Sequence, residues 1–240
     1  AVAVALTIFP LLGLPGEWSA LGISLFQGYF CLTRFLGRSY LPPAHFMLVP
    51  LGLLFGALGS AFLIAEIPVG RVLLFQGMML SLILGIGGKL VSALLGWGQP
   101  PLLKIERASK SGWVERIPWS PLVPAVLLVA GFALEFGPWV GVARSLRALA
   151  VTWVALGSWR LHRAPRVAGR LSRCLWVSGW FMVTGAWIYA LVPAAGPHGL
   201  HLFLMAGLGL TTLIVASRVT LAHGGYDLSM ETSSRALPIL

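Results

Sequence analysis

Apolar residues run along this chain in long unbroken blocks, and the polar positions between them fall in short clusters. The blocks lack the period-2 alternation of barrel strands, and most are too long for ordinary core helices. They therefore predict membrane-crossing α-helices, each needing about 20 residues to cross a hydrocarbon layer roughly 30 Å thick. The first block, Ala1 to about Leu14, is short for a span and is expected to be a truncated one. Spans are then predicted from about Ser19 to Leu36, from Pro42-Pro43 to Ala65, and from Val72 to Trp97. Further spans follow at about Trp119–Phe136, Trp139–Trp159, Leu175–Val192 and from Pro197 onward. The expectation is an all-α, polytopic transmembrane bundle of seven or eight spans. It forms one domain over residues 1–240, as part of a longer polypeptide. Two small-residue ridges, Gly52/Gly56/Ser60 and Gly77/Ser81/Gly85, predict close helix approach.

The stretch Pro197–Gly225 organises this picture, because it carries three of the five histidines, His198, His201 and His223. At about 100° per residue, His198, Met205, Gly209, Ala216 and His223 fall within roughly 40° of one line, with His201 and Thr212 beside it. A stripe of His, Gly, Ala and Thr does not suit lipid, so this face is expected to meet other helices or a cofactor.

Composition agrees with the pattern. The chain is 58% hydrophobic and 10% charged, with mean hydropathy +0.88, whereas a globular domain carries roughly 25% charged residues. The net charge of +10 could suggest nucleic acid. Its distribution excludes that, since the basic residues gather in three short loops without interleaved exposed aromatics. Placing Arg34/Arg38, Lys104–Arg116 and Arg160–Arg173 on the cytoplasmic side leaves the alternate loops nearly free of lysine and arginine. That is the orientation of a multi-pass protein of the cytoplasmic (inner) membrane. Cys31 and Cys174 read as free buried thiols, and tryptophans near span ends (Trp97, Trp119, Trp139, Trp159, Trp176) as an interfacial belt.

The candidate chemistry rests on imidazoles and cations. His198 and His201, three residues apart, share one helical face, and a neutral imidazole ligates haem iron, copper or zinc. Met205, one turn on, offers a soft ligand or a packing side chain. His223 lies 22 residues beyond His201, roughly 33 Å of helix, so the two cannot share one metal. Near the inner face, His45 opens a span, while Lys89 and Arg218 suit a propionate or another anion. Glu135 is placed to pair with Arg144 or Arg147 across the Gly137-Pro138 turn. No Ser-His-Asp set, paired-carboxylate site or Walker spacing is present.

The pattern His201-x5-Gly207-x-Gly209-x8-Arg218-Val219-x3-His223-x-Gly225 resembles the signature helix of the NnrS family. The stretches His45–Gly59 and Gly85–Leu95 are similar to family segments as well. The family pattern closes Arg-x-x-Leu-Gly-His-Thr-Gly-Arg, and Ala222, Gly224 and Tyr226 replace three of its residues here. The chain therefore resembles a divergent or partial member. The resemblance implies a membrane protein binding haem, with copper as a second metal, in the bacterial response to nitric oxide and nitrosative stress. It implies a haem site using His201 and a second metal position at His45 or His223. Two other readings stay open: a transporter or channel whose histidines line a polar path, and a structural subunit of a larger membrane complex. The expected partners are membrane lipids and other membrane proteins or further copies of the chain.

Overall fold

Without water, backbone N–H and C=O groups must be satisfied inside a segment, and every described element of this chain is helical. The structure, a computed structural model, describes residues 16–37, 43–98, 119–167 and 169–224. Helix α1 is Gly16–Leu36, and α2 is Leu48–Ile64, led in by a 3₁₀ turn at Ala44–Met47. Helix α3 runs through Val69–Arg71, a π-helical segment Val72–Met78, and Met79–Leu94. Helix α4 is Trp119–Ala133, α5 is Val140–Gly157 and α6 is Arg170–Leu191. Helix α7 runs through Gly196–His201, a second π-helical segment Leu202–Gly209, and Leu210–His223.

Five helices are long and apolar enough to cross a membrane: Ala44–Ile64, Val69–Leu94, Val140–Gly157, Arg170–Leu191 and Pro193–Arg218. A shorter apolar helix covers Pro121–Phe136. Five of the expected seven or eight spans are thus found among the described residues. The run at 1–14 lies outside them, and α1, although 21 residues long, is diluted by Glu17, Gln27, Thr33 and Arg34.

The chain divides into two compact units, residues 1–86 with 100–140 and residues 87–99 with 141–240. In the first, α2 and the first part of α3 form a hairpin clasped by glycine. A methyl group at Gly59 would sit 2.6 Å from the Leu74 nitrogen and 2.9 Å from the Gly70 carbonyl oxygen. One at Gly70 would sit 2.6 Å from the Gly59 oxygen and 2.8 Å from the Leu63 nitrogen. These are backbone atoms, which cannot swing aside, so only hydrogen fits. Further along, Gly77 lies against Phe55, and Gly52 against Ser81 and the Met78 carbonyl. Both small-residue ridges are buried, as the sequence predicts.

The second unit repeats the device with α6 and α7. A methyl group at Gly185 would meet the Phe203 nitrogen at 2.5 Å and the Gly199 oxygen at 2.8 Å. One at Gly199 would meet the Tyr189 nitrogen at 2.6 Å and the Gly185 oxygen at 3.0 Å. Gly207 then lies against Met182, and the Ser178 and Thr211 hydroxyls stand 2.9 Å apart. Gly59, Leu63, Gly70 and Leu74 correspond to Gly185, Tyr189, Gly199 and Phe203. In each hairpin a π-helical segment begins just after the second glycine of the clasp.

Candidate functional site

Helix α7 turns Gly199, Phe203, Gly207 and Thr211 towards α6, and all four are buried. Its exposed side carries His198, His201, Met205 (71% exposed) and Leu213 (57%). The sequence predicts that the histidine stripe faces other helices or a cofactor. Within this unit small residues make the contact with α6, and the imidazoles stand on the exposed side. Glycine admits the neighbouring backbone more closely than any His-bearing face could. The π segment Leu202–Gly209 turns with a wider i→i+5 pattern, yet His198, His201, Met205 and Ala216 stay together on the exposed side.

His201 is the best-defined candidate. Its Nδ1 lies 2.7 Å from the Pro197 carbonyl oxygen. A carbonyl can only accept, so Nδ1 carries the proton, and Nε2 is the ring nitrogen left for a ligand. A backbone carbonyl fixing one ring nitrogen is the usual support of a metal-binding imidazole. Met205, four residues on in the wide turn, is exposed on α7 and is not consumed by packing. His198 is also exposed, at the start of the same helix.

The other candidates are more scattered. His45 is half-buried in the 3₁₀ turn before α2, in the first unit. Lys89 on α3 and Arg218 on α7 are half-buried, both in the second unit. His223 ends α7, and its side chain lies outside the described residues. Among the described residues, no group of three or more His, Cys, Asp or Glu side chains gathers as a metal cage. A metal held only by protein side chains at His201 would need further ligands beyond the described His, Cys, Asp and Glu side chains.

Arg144 stacks on Tyr189 of α6, its guanidinium carbon 4.2 Å from the ring centre. The expected free cysteines are present, Cys31 half-buried and Cys174 exposed instead of buried. Trp97 and Trp159 depart from the predicted interfacial belt, being 5% and 0% exposed. Trp97 lies beneath Arg160, Arg163 and Arg166. The spacing of these arginines is visible in the sequence, but nothing there points to their shared aromatic partner.

The family model described as NnrS protein matches residues 1–240. Neither a curated protein nor a solved structure matches the chain. With the match running over residues 1–240 and five helices apolar enough to cross a bilayer, this chain is a membrane protein belonging to the NnrS family.

Proposed function

We propose that the chain is a haem-binding protein of the cytoplasmic membrane, of the NnrS type, that uses His201 as an axial ligand in the response to nitric oxide and nitrosative stress. The observation that supports this most directly is the Nδ1–H bond to the Pro197 carbonyl, which leaves Nε2 free on an exposed face. A haem asks the protein for only one or two ligands, so His201 would be enough to hold it where no cluster of protein ligands is present among the described residues. Bound iron would supply one-electron and diatomic-ligand chemistry. The chain's own contribution is to hold the imidazole at one tautomer and angle, with Met205 close by on the same helix. Arg218 lies 17 residues beyond His201, roughly 25 Å of helix, so Lys89 and Arg218 are proposed for a separate anion near the inner face and not for the propionates of a haem on His201. His198 is the alternative axial ligand, and His45 and His223 are the places proposed for copper.

The test is the absorption spectrum of the full chain purified in detergent. A Soret band is expected, lost in His201→Ala and kept in His198→Ala. Absence of the band from the unmodified protein, or its persistence without His201, ends the haem reading.

A transporter-like reading gains one specific observation, the π-helical segments at matching positions of two hairpins, since transporters place helix irregularities in corresponding repeats. Substrate flux into liposomes by protein free of cofactor would favour it over haem binding.

A further inference from the structure

The segment Ser158–Val167, between α5 and α6, carries arginine at every third position, and the fold draws the three side chains together. The guanidinium carbons of Arg160, Arg163 and Arg166 lie 5.7, 5.7 and 4.4 Å from the centre of the Trp97 ring. The arrangement is held at several points. The Arg166 N–H donates to the Leu95 carbonyl at 2.9 Å, and the Ser92 hydroxyl lies 2.7 Å from the Ser158 carbonyl. The Trp176 indole N–H donates to the Leu161 carbonyl at 2.7 Å. Arg160 takes a left-handed conformation, φ 54°, which a non-glycine residue keeps only where its surroundings hold it. Opposite it Gly96 is left-handed as well, φ 82°, and a methyl group there would stand 2.9 Å from the Arg166 Cβ.

Three guanidinium groups on one indole repel one another, and nearby carboxylates would be expected to offset them. The described residues of this unit contain no Asp or Glu at all. Trp97 is 5% exposed, yet its indole N–H has no acceptor among the described residues. All three arginines are exposed; the Arg163 Nε–H donates to His162 Nε2 at 3.1 Å, and the terminal guanidinium N–H groups face outward. The loop joins two helices fit to cross a bilayer, which places it at a membrane surface. Flexible arginines reaching separately for headgroups would not need a left-handed residue and three backbone ties.

From this geometry we infer that Arg160, Arg163 and Arg166, mounted on Trp97, form a binding site for a phosphate group, that of an anionic phospholipid headgroup. Guanidinium groups match phosphate oxygens in pairs, and the shared Trp97 ring keeps the three guanidiniums close together. Basic pockets at the ends of membrane helices recognise anionic headgroups in this way. The inference does not depend on haem binding.

The test uses the full chain in neutral detergent, with phosphatidylglycerol titrated in and bound lipid counted by native mass spectrometry. Generic surface attraction amounts to about 1 kcal/mol per arginine, roughly fivefold, wherever the charge sits. The double variant Arg163→Gln/Arg166→Gln is compared with Arg170→Gln/Arg173→Gln, which removes the same charge from the start of α6. A built site predicts at least a tenfold greater loss of affinity in the first variant than in the second. Single Arg163→Gln, which touches none of the backbone ties, should show most of the loss if the double variant misfolds. Phosphatidylcholine should bind neither protein measurably. Equal losses in the two double variants would overturn the proposal in favour of diffuse charge. Displacement of the lipid by millimolar inorganic phosphate would overturn its lipid assignment and leave a free-anion site.

Discussion

The α2–α3 and α6–α7 hairpins share a frame and differ in what they display. In both, a glycine on the first helix and a glycine on the second meet backbone to backbone, and four residues beyond each lies the other's next contact. Seven residues before the first glycine the partners are Gly52 with Ser81 in one hairpin and Ser178 with Thr211 in the other. The second arm of α6–α7 is one residue longer over this interval, and π-helical turns follow the clasp in both. Counted from the clasp glycine, His198, His201 and Met205 of α7 stand where α3 has Val69, Val72 and Gln76. At these matched positions one hairpin carries Val69, Val72 and Gln76, while its counterpart carries imidazole and thioether on the same frame. Chemistry resides in residues grafted onto a frame, and the frame by itself does not specify it.

The sharpest way to break this comparison is to exchange the matched positions for alanine. His201→Ala is expected to abolish the Soret band, while Val72→Ala leaves it unchanged, read as the haem-to-protein ratio of each purified variant. If both variants lost haem equally, the loss would reflect damage to a shared frame instead of a missing ligand.

Next in size is the clasp itself. Gly59→Ala and Gly185→Ala each force a methyl group against backbone nitrogen and oxygen, and overpacking of this kind costs about 1–3 kcal/mol. Gly28 and Gly141, where an added methyl group would meet nothing within 4 Å, should accept alanine with no loss and a gain of up to about 1 kcal/mol. The check is the thermal midpoint of the monodisperse protein in detergent. A clasp variant as stable as Gly28→Ala would show that the close approach relaxes freely.

The spans on α2, α3, α5, α6 and α7 are legible in the sequence because length and continuous apolarity are themselves the physical requirement for crossing lipid. The ridges at Gly52/Gly56/Ser60 and Gly77/Ser81/Gly85 are legible for a similar reason, small residues at helical spacing. The matching of the two hairpins is not. The clasp glycines are 11 residues apart in one hairpin and 14 in the other, among 29 glycines, so no fixed period marks them. Nor can the π segments be read, because Leu202–Gly209 and Val72–Met78 are apolar nearly all round, and a pattern without a polar side carries no phase. Even so, His198, His201, Met205 and Ala216 lie together on the exposed side of α7, as a uniform helical period groups them. Trp97 reads as a belt residue because its arginine partners lie more than sixty positions away.

The smallest effect separates the hairpins at their matched polar contact. The Ser178 hydroxyl is 0% exposed and Thr211 1%, and their oxygens stand 2.9 Å apart. The Ser178 hydroxyl also lies 2.9 Å from the Leu175 carbonyl, which can only accept, so its single proton belongs there and Thr211 is the donor between the two hydroxyls. At the corresponding place in α2–α3, Gly52 offers no side chain, and the buried Ser81 hydroxyl has no hydrogen-bond partner among the described residues. Removing an unpaired buried hydroxyl relieves a desolvation cost, so Ser81→Ala should be neutral or stabilising. A double-mutant cycle of Ser178→Ala with Thr211→Val should give a coupling of about 0.6 kcal/mol, the average for polar contacts between membrane helices. Zero coupling would mean that the glycine packing at Gly185, Gly199 and Gly207 holds α6 to α7 without help from this hydroxyl pair. In that case the polar contact would no longer distinguish the two hairpins energetically.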